Sequence, residues 1–275
     1  MVGRTIARVS GYATKFAGSV PAFYDRQLGP VLFEPFAADL VGRLPASDGL
    51  RVLEIACGTG IVTRRLRQAL PDTATLVATD LNEPMTAYAR EAVPASGIVW
   101  QEADAQALPF DAGSFDVVVC QFGFMFLPDK AQGFREARRV LGPGGVLLAN
   151  VWQSLEANPA PAVIHALLEQ LFPADPPRFM ETPYGYHNPE RIRADMVEGR
   201  WTDVQLEDVR LQGLGPSAAD FAAGFALGSP LAHDLAERGA DVDAVTRALT
   251  EALVPVGGRE PFSVAQAAWV IRAVR

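Results

Sequence analysis

Cysteine, histidine and methionine are scarce in this 275-residue chain, which has 2, 3 and 5 of them. Two cysteines cannot build a disulfide framework. Cys57 and Cys120 both lie in or beside apolar runs that read as buried strands, which suits free thiols in a reducing, cytoplasmic setting. Positive charge is also in deficit: 24 Lys and Arg against 32 Asp and Glu give a formal charge of -8 and a pI near 5.0. A surface of that sign repels phosphate backbones and anionic lipid, which argues against nucleic acid and membrane as partners. The densest basic cluster, Arg64, Arg65 and Arg67, falls on one helical stretch and reads as a solvated face. Long apolar runs are missing as well. The most apolar segment, 115–128, is interrupted by Asp116 and Gln121, and the N-terminal MVGRTIARVSGYATKF has no continuous apolar core of a signal peptide.

What is present is an ordinary globular composition, 49% hydrophobic and 20% charged, enough for one large core. Apolar runs at 52–57, 76–79, 98–100, 117–120 and 146–151 recur roughly 20 to 30 residues apart with little polar alternation, as buried parallel strands do. Helical stripes separate them: Ile61, Val62, Leu66, Ala69 and Leu70 share one face, as do Phe134, Ala137, Val140 and Leu141. Pro84, after Asn82, opens another helix. The alternation predicts an α/β fold, a Rossmann-like, doubly wound, mostly parallel seven-stranded sheet. Residues 1–49, rich in aromatics and proline, read as an N-terminal helical cover. Residues 50–152 read as the ligand-binding core. In 153–275 the remaining strands, expected at 201–211 and 262–274, are separated by helical insertions after the fifth and sixth strands, all within one structural domain.

The segment RVLEIACGTGIVTRRL at 51–66 runs from a strand through Gly-x-Gly into a helix, a turn that lets backbone approach a nucleotide or nucleoside. Asp80 ends the second strand about 20 residues on, the spacing at which a carboxylate accepts from ribose hydroxyls; an exposed strand end is expected there. A dinucleotide fingerprint would place a third glycine where this chain has Thr63, which counts against NAD or FAD.

From Arg51 to Trp152 the chain resembles class I S-adenosylmethionine-dependent methyltransferases of the ubiquinone/menaquinone-biosynthesis-like, type 11 group. The resemblance implies S-adenosyl-L-methionine as cofactor. It implies that Glu54 through Gly60, with Gly58 and Gly60, approach the methionine and ribose portions. Ala56 stands where glycine is commoner, and a positive φ would sit less comfortably on it. By the same likeness Asp80 and Leu81 meet the ribose, Met85 packs near the adenine, and Asp104 and Ala105 recognise the adenine edge. Gln121 falls beside the methionine portion and the acceptor, and LGPGGVLL at 141–148 leads into the fifth strand. Tyr24, in FYDRQLGP, is similar to a tyrosine that closes over the cofactor in some members.

A sulfonium-activated methyl needs placement and exclusion of water more than a covalent residue. Neither cysteine follows proline, and the fourth strand ends in CQFGF, so the signatures of two nucleic-acid methylating groups are missing. If the acceptor is a hydroxyl, a general base would come from His165, His187 or His233, of which His187 in the aromatic loop 184–187 is the best placed. Arg178 and Arg191 could pair with an anionic substrate or remain solvated. Aromatic residues from several segments should meet above the strand ends; Tyr24, Phe122, Phe126 and Tyr186 are the substrate-contact candidates, and they favour a small apolar or aromatic acceptor. The loop 174–188 and residues 1–45 are expected to form a mobile cover. A nucleotide-cofactor oxidoreductase and a non-catalytic binding protein on the same fold are the alternatives, and the oligomeric state stays open.

Overall fold

The structure is a computed structural model that describes residues 20–275. The part of the expected N-terminal cover before residue 20, including Tyr12 and Phe16, lies outside the described residues.

Five short apolar segments form the parallel half of one sheet: β1 (Arg51–Ile55), β2 (Thr75–Asp80), β3 (Ile98–Glu102), β4 (Phe115–Gln121) and β5 (Leu141–Trp152). β6 (Asp203–Gly215) and β7 (Phe262–Val274) complete it, in the order β3-β2-β1-β4-β5-β7-β6, with β7 antiparallel to both neighbours. The strand order reverses between β1 and β4. In open α/β sheets that is where a crevice opens beyond the carboxyl ends of the strands.

Helices α3 (Ile61–Ala69), α4 (Glu83–Ala92) and α5 (Lys130–Val140) connect the parallel strands. The stripe Ile61, Val62 and Leu66 is buried as its spacing requires, and Asp129 caps α5 by accepting from the Gln132 amide at 2.9 Å. After β5 come α6 (Pro159–Leu171), the short α7 (Glu181–Gly185) inside the expected loop, and α8 (Pro189–Glu198). Between β6 and β7 lie α9 (Ala218–Gly228), α10 (Leu231–Glu237) and α11 (Val242–Gly257).

Several boundaries differ from expectation: Leu141, expected on the helical stripe of Phe134, opens β5 instead. β1 stops at Ile55 because Ala56 turns left-handed, so Cys57 lies beyond the strand; β6 runs on to Gly215 because β7 pairs with it along its whole length. Both cysteines are buried free thiols. The Arg64 and Arg65 side chains are not simply solvated: both reach Glu34 on α2 (Glu34–Gly42), at 2.7 and 2.6 Å.

The N-terminal cover enters through α1 (Val20–Phe23) and a π-helical stretch, Tyr24–Phe33, and it crosses the β6–β7 ribbon very closely. Gln266 donates to the Val31 carbonyl at 2.6 Å, and Gly213 lies so near that a Cβ there would collide with the same oxygen. Gly213→Ala must therefore push the cover off the sheet. We expect a loss of about 1–3 kcal/mol, read as a lower urea midpoint at unchanged slope; an unchanged midpoint would show that the cover is not seated there.

Candidate functional site: an open cleft and an aromatic chamber

At the end of β1 the chain makes three left-handed turns in five residues, at Ala56, Gly58 and Gly60, with φ of 55, 54 and 84°. A side chain built on Gly58 would meet open space, so glycine is required there by its backbone angle and its bare face looks into the cleft. Ala56 accepts the conformation at a cost of about 1–2 kcal/mol. Its methyl is accommodated because residue 123 is glycine: a Cβ at Gly123 would overlap both Ala56 and the Cys120 sulfur.

Asp80 locks this turn. One carboxylate oxygen accepts from the Gly58 amide at 2.9 Å and the other from the Asn82 amide at 2.8 Å. The expected exposed strand end is in fact buried, with 7% of Asp80 accessible, because the turn folds down onto it. Burial raises its carboxyl above the ordinary range, and the Asn82 and Gly58 amides oppose that shift.

Around the turn lies an open cleft of about 760 Å³. Ala56, Gly58, Asp80, Leu81, Met85, Asp104, Ala105 and Gln121 all line it, so eight of the ten residues expected to hold a cofactor meet in one space. Asp104 is oriented by accepting from the Gln106 amide at 2.8 Å, and Met85 packs with Tyr24 and Phe126. Gly60 lies at the base of α3 against Val93, Ala89 and Trp100 rather than in the cleft, because helix packing fills the space beside it. Glu54 lies in an adjoining polar recess of about 320 Å³.

Buried polar atoms without partners gather at that recess: Glu54 Oε2, Thr59 Oγ1 and Gln121 Oε1, all on residues lining it. Unsatisfied groups at this density fit a polar ligand that would complete them. Glu54 is 2% exposed, and burial pushes its carboxyl up to about 8, with Asp80 adding to the rise and Thr63 opposing it.

The second space is different in kind. An apolar chamber of about 430 Å³ is bordered by Tyr24, Phe33, Phe122, Phe126, Trp152 and Tyr184, with Phe179, Phe225 and aliphatic residues behind them. Tyr24 stacks on Phe33 at 4.6 Å and Phe122 on Trp152 at 3.7 Å between ring centres. Tyr24, Phe122 and Phe126 line both the cleft and the chamber, and Tyr24 lines the polar recess too.

Two expected residues are elsewhere. Tyr186 borders none of these three spaces: its hydroxyl donates to Asp195 at 2.9 Å, and the Lys130 ammonium sits over its ring at 5.0 Å. Tyr184 borders the chamber instead, because it lies within α7 while Tyr186 falls just past its end, where the backbone has left the helix. His187 is exposed, with Nδ1 2.8 Å from the Tyr184 carbonyl, and borders none of the three spaces either. His165 faces Glu169 on α6 and His233 lies on α10. Arg178 and Arg191 pair with Glu181 and Asp195 at 2.6 and 2.9 Å. Trp152 and Asn150 escaped sequence reasoning; the one visible signal was a polar Asn in the apolar run VLLANVW.

Residues 53–149 match the family model described as Methyltransferase domain. Over that stretch the chain is similar to methyltransferase domains. It is 37% identical over 145 residues to the demethylmenaquinone methyltransferase of Thermus thermophilus, covering 50% of this chain and 63% of that protein. It is 33% identical over 147 residues to the ubiquinone/menaquinone biosynthesis C-methyltransferase UbiE of Saccharophagus degradans, covering 51% and 58%. The chain thus aligns with less than two thirds of the length of these relatives. Among solved structures, the Haemonchus contortus phosphoethanolamine N-methyltransferase 2, in complex with phosphomonomethylethanolamine and S-adenosylhomocysteine, aligns with a TM-score of 0.59 at 17% identity, over 93% of this chain and 56% of that one. An S-adenosylmethionine-dependent methyltransferase from Mesorhizobium loti aligns at 0.51 and 18%, over 86% and 96%. At these identities the likeness is one of fold, and the fold is Rossmann-like as expected.

The buried acid of the recess makes stability depend on pH. Unfolded, Glu54 titrates near 4.5; folded, at about 8, so the fold holds the proton between these values. Its contribution is complete below 4.5 and is lost as pH rises to about 8. Asp80 shifts in the same direction, so the slope is shared. Glu54→Gln should flatten the fall of melting temperature across that window, and an unchanged slope would show that Glu54 is ionised in the fold.

Proposed function

We propose that the chain binds S-adenosyl-L-methionine in the cleft and transfers its methyl group to a small, uncharged aromatic or apolar molecule held in the neighbouring chamber. The observation that carries this reading is the shared wall: the cleft that gathers eight of the expected cofactor residues, with the recess of unsatisfied buried groups beside it, meets an apolar chamber at Tyr24, Phe122 and Phe126.

Asp80 would hold the ribose hydroxyls, Asp104 and the Ala105 amide the adenine edge, and Met85 the adenine face. Glu54 and Gln121 would complete the amino-acid end. When bound, S-adenosyl-L-methionine supplies a methyl group already activated by its sulfonium. The chain contributes position and dryness: the aromatic wall keeps water from the line between the two spaces. Among the described residues no histidine, lysine, arginine or carboxylate borders the chamber, so none of these supplies the acceptor with a base and its reacting atom would have to be nucleophilic by itself. The same lining disfavours a phosphorylated acceptor of the kind bound to the Haemonchus enzyme and suits a ring such as those named for the quinone-pathway relatives. The net charge of -8 disfavours nucleic acid. Among the described residues no helix is long and apolar enough to cross a membrane, and the free buried thiols support a cytoplasmic setting.

Labelled methyl transfer is expected with some member of a panel of phenols, quinones and related apolar rings, and not with DNA, RNA or protein; labelling of a macromolecule alone would overturn the acceptor class. Asp80→Ala should weaken cofactor binding by about 2–3 kcal/mol. Because Asp80 also holds the Gly58 amide, the variant should unfold more easily, by about 1–3 kcal/mol. Calorimetry showing wild-type affinity in this variant would remove Asp80 from the site. Ligand should slow hydrogen exchange in 20–45 and 174–188, which frame the chamber; equal rates with and without ligand would rule out a cover.

A further inference from the structure

Among the described residues three other than glycine have a left-handed backbone: Ala56, Phe122 and Arg200. Ala56 and Phe122 both line the cleft, at the ends of β1 and β4. For a ring-bearing residue, φ of 51° is an outlier that persists only where the surroundings enforce it.

The enforcing group is Asn150 on β5. Its backbone carbonyl and its side-chain Oδ1 both accept from the Phe122 amide, at 3.1 and 2.9 Å. Asn150 is fully buried, and its Nδ2 has no partner. An apolar side chain here would avoid that unsatisfied donor, so retaining asparagine at the site works against stability. What asparagine provides in return is the oxygen that fixes Phe122.

A second anchor comes from the same strand. Alternate residues of a strand share a face, so Asn150 and Trp152 point the same way. Trp152 receives the Phe122 ring in a parallel stack, 3.7 Å between centres and 8° between planes, while Phe36 meets that ring edge-on at 5.4 Å. β5 therefore grips Phe122 at its amide and at its ring. The gripped ring is part of the wall common to cleft and chamber.

We propose that Asn150 is a positioning residue for the methyl transfer, holding Phe122 in its left-handed turn so that the ring sets where an acceptor lies against the cofactor cleft. This rests on the reading of the two spaces given above. Asn150 itself touches neither space and acts through Phe122.

The test uses the full chain with S-adenosylhomocysteine and with 2-naphthol as an uncharged ring probe. Asn150→Leu should fold and bind S-adenosylhomocysteine within about twofold of wild type. It should lose the near-ultraviolet circular dichroism of the Phe122–Trp152 stack and about tenfold in 2-naphthol affinity. Asn150→Asp should regain both signals at low pH, where a protonated carboxyl offers the same accepting oxygen without a buried charge, and lose them as pH rises. If Asn150→Leu does not fold, this pH dependence decides. Wild-type spectra and wild-type naphthol affinity in Asn150→Leu would overturn the proposal, as would a fall in cofactor affinity in step with the probe, which marks a merely structural role. Failure of wild type to bind S-adenosylhomocysteine would overturn the methyl-transfer reading instead, and the dichroism would still report whether Asn150 holds Phe122.

Discussion

Amides from two separate segments, Gly58 on the glycine-rich turn and Asn82 at the head of α4, converge on the single buried carboxylate of Asp80. For Gly58 to reach it the turn must double back, which requires left-handed backbone at residues 56, 58 and 60. That backbone in turn needs Gly123, just past the end of the neighbouring β4, where any side chain would strike the Ala56 methyl. The floor of the cleft is thus a chain of dependences that begins with one acid and ends at the turn after β4. Hydrogen bonds from backbone donors to a carboxylate are among the stronger ones available to a turn, and here they hold it chiefly through its main chain.

The two spaces above that floor divide their chemistry by lining. The recess beside Glu54 gathers polar atoms that lack partners, which is tolerable only where a ligand or solvent completes them. The chamber beyond Phe122 gathers rings whose mutual contacts are already satisfied, stacked or edge-on, so it gains little from polar company. A site built this way orients one partner by hydrogen bonds and the other by shape. The low dielectric of the apolar side also strengthens electrostatic interactions at the boundary between them.

The sheet was legible because four buried parallel strands leave continuous apolar runs, whereas the expected buried strand at 98–100 is the half-exposed edge strand β3, and the cleft was legible because Gly58, Asp80 and Asp104 lie at or just past strand ends whose spacing survives in the chain. What escaped depends on contacts between distant segments. The Glu34 pair with Arg64 and Arg65 arises only once α2 meets α3. Tyr186 leaves the chamber because the loop was read without the short helix, which holds Tyr184 and ends just before Tyr186. Asp80 reads as exposed until the turn folds over it. Asn150 looked like an isolated polar residue in a core strand, since nothing local reveals that its partner is an amide 28 positions earlier.

Tyr24 borders the cleft, the recess and the chamber alike, and it is contributed by the N-terminal π-helical stretch rather than by the sheet. A side chain common to three compartments cannot adjust to an occupant of one without altering the free energy of filling the others. Whatever factor the first ligand imposes on the second, the second imposes on the first. Order of arrival then becomes a question of rates alone, and the N-terminal segment, through one ring, joins whatever fills the cleft to whatever fills the chamber.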